Sequence, residues 1–102
     1  MKKIYLFCAA GMSTSVLVRK MQEYADSIHY ECEIVAYPVN EVDVYGPKAD
    51  IVLLGPQVRY ELGKVKAKLP DKIVEVINMP DYGMMRGDNV LKAARKSMGD
   101  QL

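Results

Sequence analysis

Ile4-Tyr5-Leu6-Phe7-Cys8-Ala9-Ala10-Gly11-Met12-Ser13-Thr14-Ser15 is the stretch whose reading decides the fold of this 102-residue chain. Ile4 to Phe7 are apolar without alternation, as in a short strand covered on both faces. The small residues after Cys8 let the backbone turn sharply. Leu17, Met21, Tyr24 and Ile28 then recur at helical spacing, with Arg19, Lys20, Glu23 and Asp26 on other faces. Ser13 or Thr14 can cap that helix. A buried strand that runs through a tight turn into an amphipathic helix is the first half of a βαβ unit.

The same alternation continues outward. Cys32 to Tyr37 reads as a strand, and Glu33 and Pro38 suit a sheet edge. Asn40 to Lys48 is a connection with room for one helical turn, broken at Gly46-Pro47. Ile51-Val52-Leu53-Leu54 is a second fully apolar strand and ends at Gly55-Pro56. Val58, Leu62, Val65 and Leu69 mark a helix stopped by Pro70. Ile73 to Ile77 is a fourth strand, and Asn78 to Gly87 a loop containing Pro80 and two glycines. Asp88 caps a last helix through Leu91, Ala94 and Met98, closed by Gly99. This predicts an α/β protein: one domain over residues 1–102, with a parallel four-stranded sheet in the order 2-1-3-4 and helices on both faces. In that order the connections leaving strands 1 and 3 go to opposite faces. Ligands of such sheets bind at that switch point, beyond the carboxyl ends of the strands. Two loops meet there, Cys8 to Ser15 and Gly55-Pro56-Gln57.

Composition removes several function classes. A net charge of +1 gives no electrostatic case for nucleic acid. No apolar run approaches the ~20 residues that span a bilayer. The start, Met1-Lys2-Lys3-Ile4-Tyr5-Leu6-Phe7, resembles a signal peptide, but its apolar run is short and meets Gly11, Ser13 and Thr14 without a cleavage pattern. A cytosolic protein is expected. Cys8 and Cys32 are the only cysteines and His29 the only histidine, so neither a disulfide framework nor a metal site is expected, and no cofactor.

The first loop carries the chemistry. Its curl, eased by Gly11, can aim successive N–H groups inward as an anion nest. The helix N-terminus adds a positive dipole end, and Ser13, Thr14 and Ser15 add hydroxyls. That field suits a phosphoryl dianion. It also favours a thiolate, so Cys8 is expected to have a lowered pKa. A nucleophile beside a phosphate cradle is what covalent phosphoryl transfer needs. The plainer alternative is an inert buried cysteine ahead of an ordinary Ser-Thr-Ser cap.

Low-molecular-weight protein tyrosine phosphatases, and arsenate reductases of that fold, are similar in architecture. Their Cys-x5-Arg pattern would put an arginine where this chain has Thr14. A guanidinium clamps transferring phosphoryl oxygens bidentately, and its absence argues against ester hydrolysis. Arg19 lies further along the helix and is expected to face away. Asp81-Tyr82 sits about where that family keeps its general acid, though a turn residue after Pro80 explains Asp81 as well.

The stretch Ile4 to Ser15 resembles the phosphorylation loop of the IIB components of sugar phosphotransferase systems in the lactose/cellobiose family. Gly11-Met12-Ser13 points to the cellobiose/diacetylchitobiose type. Ala49-Asp50-Ile51-Val52-Leu53-Leu54-Gly55-Pro56-Gln57 resembles that family's third strand and following loop. The resemblance implies a relay. A phosphohistidine on a separate IIA protein phosphorylates Cys8. Cys8 then passes the group to a sugar on the membrane IIC permease, a β-linked disaccharide such as cellobiose or diacetylchitobiose. It implies that Ala9, Ala10, Gly11, Met12, Ser13, Thr14 and Ser15 cradle the phosphoryl group, chiefly through backbone N–H groups. It also implies a cytoplasmic location, peripheral to the membrane through IIC. The missing arginine then has a physical reading. A relay needs an intermediate that outlives diffusion between partners, and a donor aimed at the transition state is worth about 3–4 kcal/mol toward hydrolysis. The rivals are an arginine-less phosphatase or arsenate reductase, and a non-catalytic anion-binding regulatory domain.

Other residues carry weaker signals. Cys32 reads as structural, and His29 as a capping or surface residue. Met12, Met84 and Met85 suit either an adaptable docking surface or ordinary packing. Gln57 can touch the phosphoryl group, while capping or packing explains Gln57 and Tyr60 equally.

Overall fold

The computed structural model describes residues 1–9 and 12–100, with Met12 and Ser13 described through their backbone. Four strands form one sheet: β1 (Lys2–Cys8), β2 (Cys32–Pro38), β3 (Ile51–Leu54) and β4 (Ile73–Val76). All pairings are parallel, and the order is β2-β1-β3-β4. The expected sheet is therefore present in the expected order. Helices α1 (Met12–Ser27), α2 (Val42–Tyr45), α3 (Leu62–Lys68), α4 (Met79–Gly83) and α5 (Gly87–Ser97) make the connections, with 3₁₀ turns at Val39–Glu41, Gly46–Lys48 and Pro56–Glu61.

Period-two alternation in the central strands divides the core between the two faces. Ile4, Leu6, Ile51 and Leu53 pack with Leu17, Met21 and Ala25 of α1 and Val90, Leu91 and Ala94 of α5. Tyr5, Phe7, Val52 and Leu54 pack on the other face with Val42 of α2, Val65 of α3 and Leu69 just after it. Both faces of β1 and β3 are thus covered, which is why those strands read as unbroken apolar runs. The edge strand β2 is only half buried, as its Glu33 and Pro38 suggest.

Several local expectations need correction. Asn78 to Gly87 is not an open loop. It contains α4, whose N-cap Asn78 accepts from the Asp81 N–H at 3.2 Å, with Pro80 in the first turn. Asp88 is not a cap: it lies inside the first turn of α5 and pairs with Arg86 at 3.3 Å. The segment after β3 begins as 3₁₀, with Val58 at a non-helical φ of −115°, and becomes α-helical only at Leu62. Ile28 is 38% exposed rather than core, because α1 ends at Ser27. His29 follows in the left-handed region at φ 56°, and the Tyr30 N–H closes the helix onto Ala25 O at 2.9 Å. The expected stop at Gly99 is present, with φ 83°.

Gly87 shows why α5 sits where it does. A Cβ there would lie 2.5 Å from the Lys20 carbonyl carbon and 2.5 Å from the Met21 nitrogen. The start of α5 therefore rests directly on the backbone of α1.

Candidate active site

The last residue of β1 is Cys8, 2% exposed, at the carboxyl end of the central strand. The Gly55 N–H donates to the Phe7 carbonyl at 2.9 Å and so holds the post-β3 loop against the end of β1. This is the switch point, since α1 leaves β1 toward one face and the segment after Gly55 leaves β3 toward the other. Of the second loop, Gly55 and Pro56 are buried and Gln57 is exposed. A Cβ on Gly55 would approach Cys8 Sγ to 2.7 Å and Gln57 Oε1 to 3.1 Å. Gly55 thus borders the sulfur, and the Gln57 side chain lies beside Gly55.

Thr14 is the other near neighbour. It is fully buried in the first turn of α1, and its hydroxyl is near enough to the Cys8 sulfur to draw the thiol's pKa down. Thr14 Oγ1 also lies 3.3 Å from Tyr82 Oη, which comes from α4 and is 7% exposed. Thr14 is therefore not a cap: α1 already begins at Met12, and the hydroxyl is committed to the sulfur and to Tyr82. The sequence placed Asp81-Tyr82 near the site, but the role weighed there was that of Asp81, and the part played by Tyr82 was missed. The one signal for it was its place after β4, at the carboxyl end of the sheet.

The remaining expected residues separate. Ala9 and Ser15 are exposed. Ala10, Gly11 and the side chains of Met12 and Ser13 lie outside the described residues. Arg19 is exposed on α1, away from the buried sulfur, as expected. The Asp81 carboxylate accepts from Asn89 Nδ2 at 3.1 Å, joining α4 to α5, which fits a turn residue better than a general acid. Met84 and Tyr60 are exposed, whereas Met85 packs against the core. A cleft of about 360 Å³ beside the site is lined by Pro56, Gln57, Arg59, Met79, Tyr82 and Met85, among others. Among the described residues, no group of three or more His, Cys, Asp or Glu side chains is placed to hold a metal ion.

The expected depression of the Cys8 pKa is overturned. Burial pushes the thiol above its ordinary value, and the Thr14 and Gly55 hydrogen bonds pull it back only in part. Burial also raises the Cys32 thiol, helped by the nearby Asp26 carboxylate.

A four-stranded parallel sheet in this order, with a thiol at its switch point, is the low-molecular-weight phosphatase-like fold. This chain carries Thr14 in place of that group's arginine. The family model for the lactose/cellobiose-specific IIB subunit of the phosphotransferase system matches residues 3–93, and the chain belongs to that family of sugar phosphotransferase components. Two relatives from Lactococcus lactis are each 48% identical over 104 residues, covering 95% of this chain and 96% of their own length. One is the galactose-specific EIIB component of subspecies cremoris, and the other the cellobiose-specific EIIB component of subspecies lactis. The solution structure of the cellobiose-specific IIB component from Borrelia burgdorferi superposes with a TM-score of 0.80 at 35% identity, covering 96% of this chain and 92% of that one. Among the described residues, no helix is long and apolar enough to cross a membrane.

Proposed function

We propose that Cys8 is the phosphoryl acceptor of this phosphotransferase component, and that the whole chain, residues 1–102, acts as one IIB domain. The carrying observation is the setting of its sulfur: buried at the switch point beside the Thr14 hydroxyl, with Gly55, which has no side chain, directly against it. A phosphohistidine on a IIA protein supplies the group. The sulfur forms the S–P bond as the N–P bond of the phosphohistidine breaks, and the thiol proton passes to the departing imidazole nitrogen. A thiol whose pKa is raised by burial is compatible with this balance, because the leaving group takes up the proton. The backbone N–H groups of Ala9 to Ser15 then hold the phosphoryl oxygens, with Gly55, Pro56 and Gln57 as the opposite wall.

In the second half of the relay the group passes to a sugar on the membrane IIC protein. The chain works in the cytoplasm and meets the membrane only through IIC. The sugar is a β-linked disaccharide of the cellobiose or diacetylchitobiose kind. Two equally similar relatives carry the names of different sugars, which fits a selection made mainly on IIC rather than on this chain.

The test is incubation with phosphorylated IIA, followed by mass mapping of the modified peptide. One phosphoryl group on Cys8, and none on folded Cys8→Ser, is the expected result. Phosphate on His29 or on a serine would refute the assignment.

A further inference from the structure

Tyr82 has no place in the relay as described, yet it is buried and its hydroxyl reaches the innermost group of the site. The contact joins residues 68 apart in sequence, and both side chains are buried. Buried hydroxyls are seldom paired by chance, because an unpaired one is costly. The order of atoms runs from Cys8 sulfur to Thr14 hydroxyl to Tyr82 hydroxyl.

A threonine hydroxyl has a single proton. When Thr14 donates it to the sulfur, the Thr14 oxygen can only accept from Tyr82. An O–H that accepts a hydrogen bond becomes a better donor, since chained hydrogen bonds polarise one another. Burial sharpens the effect, because no water competes at Thr14. The opposite arrangement, Thr14 donating to Tyr82, would leave the sulfur without that donor. We propose that Tyr82 is a positioning residue of the transfer site, whose hydroxyl orients the Thr14 proton onto the Cys8 sulfur through the buried Thr14–Tyr82 contact. The inference rests on Cys8 being the acceptor, since only then does the poise of this sulfur bear on transfer.

The arrangement couples the site to α4. Tyr82 also lines the cleft shared with Pro56, Gln57, Arg59 and Met79, so a group entering that cleft touches the residue that orients Thr14. Asn78 and Asp81 brace the start of α4, and Asn89 ties Asp81 to α5. The helix that carries the tyrosine is thus braced at its start and tied to α5.

The experiment measures the pH dependence of Cys8 alkylation by iodoacetamide, read on the Cys8 peptide so that Cys32 does not interfere. Wild type, Tyr82→Phe, Thr14→Val and the double variant are compared, each with its thermal stability. Thr14→Val should raise the Cys8 midpoint by about 1 pH unit, and Tyr82→Phe by roughly half as much. The double variant should match Thr14→Val alone, because Tyr82 acts only through Thr14. An unchanged or lowered midpoint in Tyr82→Phe, or a double variant whose shifts add, overturns the proposal. Should Tyr82→Phe fold poorly, wild type labelled with ¹³Cζ-tyrosine decides. The Tyr82 signal should move with the Cys8 midpoint and stop doing so in Thr14→Val, and a signal indifferent to that midpoint counts against the chain. No phosphoryl donor is present, so a phosphate mapped elsewhere would remove the proposed function and leave this result standing. Conversely, a failed alkylation result removes the role of Tyr82 and leaves phosphorylation of Cys8 untouched.

Discussion

Gly55→Ala should damage the site through one added methyl group. Gly55 has φ −62° and ψ 149°, which any L-residue adopts, so the backbone itself does not oppose the change. The whole penalty comes from the contact: the new Cβ would stand 2.7 Å from Cys8 Sγ and 3.5 Å from Cys8 Cβ. Ordinary non-bonded contact lies nearer ~3.5–4.0 Å, so the sulfur or the loop must move by close to 1 Å. The sulfur ends a strand buried on both faces, and the loop is pinned to Phe7 O at 2.9 Å. Overpacking of this kind costs about 1–3 kcal/mol. For a domain of this size each kcal/mol lowers the melting temperature by about 4–8 °C. The control is Gly63→Ala, within α3, where a Cβ meets nothing within 4 Å. That change should stabilise by about 0.5–1 kcal/mol through helix propensity. Thermal melts of both variants and the rate of phosphoryl transfer from IIA are the assay. Gly55→Ala should melt lower and transfer far more slowly, while Gly63→Ala melts higher and transfers normally. A Gly55→Ala protein with wild-type stability and rate would show that the sulfur does not lie against Gly55, and the reasoning would fail.

Two further outcomes follow from the same geometry. Thr14→Arg, the substitution that would restore the phosphatase pattern, puts a guanidinium into a fully buried position. It should cost at least about 3 kcal/mol and yield no efficient hydrolysis of aryl phosphates, and a stable, active variant in denaturant titration and phosphatase assay would contradict this. Asp100 accepts from Tyr30 Oη at 2.6 Å and lies 3.5 Å from Arg95, and these contacts lower its pKa, the tyrosine hydrogen bond most. A depressed carboxyl contributes stability above its unfolded pKa of ~3.9 and loses it as pH falls through the folded value. Asp100→Asn should therefore flatten the acid limb of the stability curve below about pH 4 and lower stability at pH 7, as urea titrations at both pH values would show.

The sheet was legible because Ile4 to Phe7 and Ile51 to Leu54 are covered on both faces and so carry no polar interruption. The switch point followed from strand order alone, and with it the meeting of Cys8 and Gly55. Helix α4 was hidden by Pro80 and Gly83, which read as loop residues. Yet Asn78 two places before a proline is also a helix start, and that signal was available. Thr14 looked like a cap because a hydroxyl near a helix N-terminus usually is one, and its burial depends on α4 lying over it. Tyr82 was out of reach for the same reason: its partner stands 68 residues away. The direction of the Cys8 pKa was misjudged because the helix end and hydroxyls are visible in a sequence, whereas desolvation, the largest influence on this thiol, belongs to the assembled core.

The contact at Gly87 bears on how this small protein meets its partners. Where α5 begins there is no side chain between it and the backbone of α1, so that junction has no rotamer to change. Helices that slide do so by repacking side chains, and here bare peptide rests on bare peptide. The helix that carries Thr14 and the one that follows Tyr82 must then shift together or not at all. The two helices thus behave as one cast piece, and any adjustment of fit at the site has to come from elsewhere.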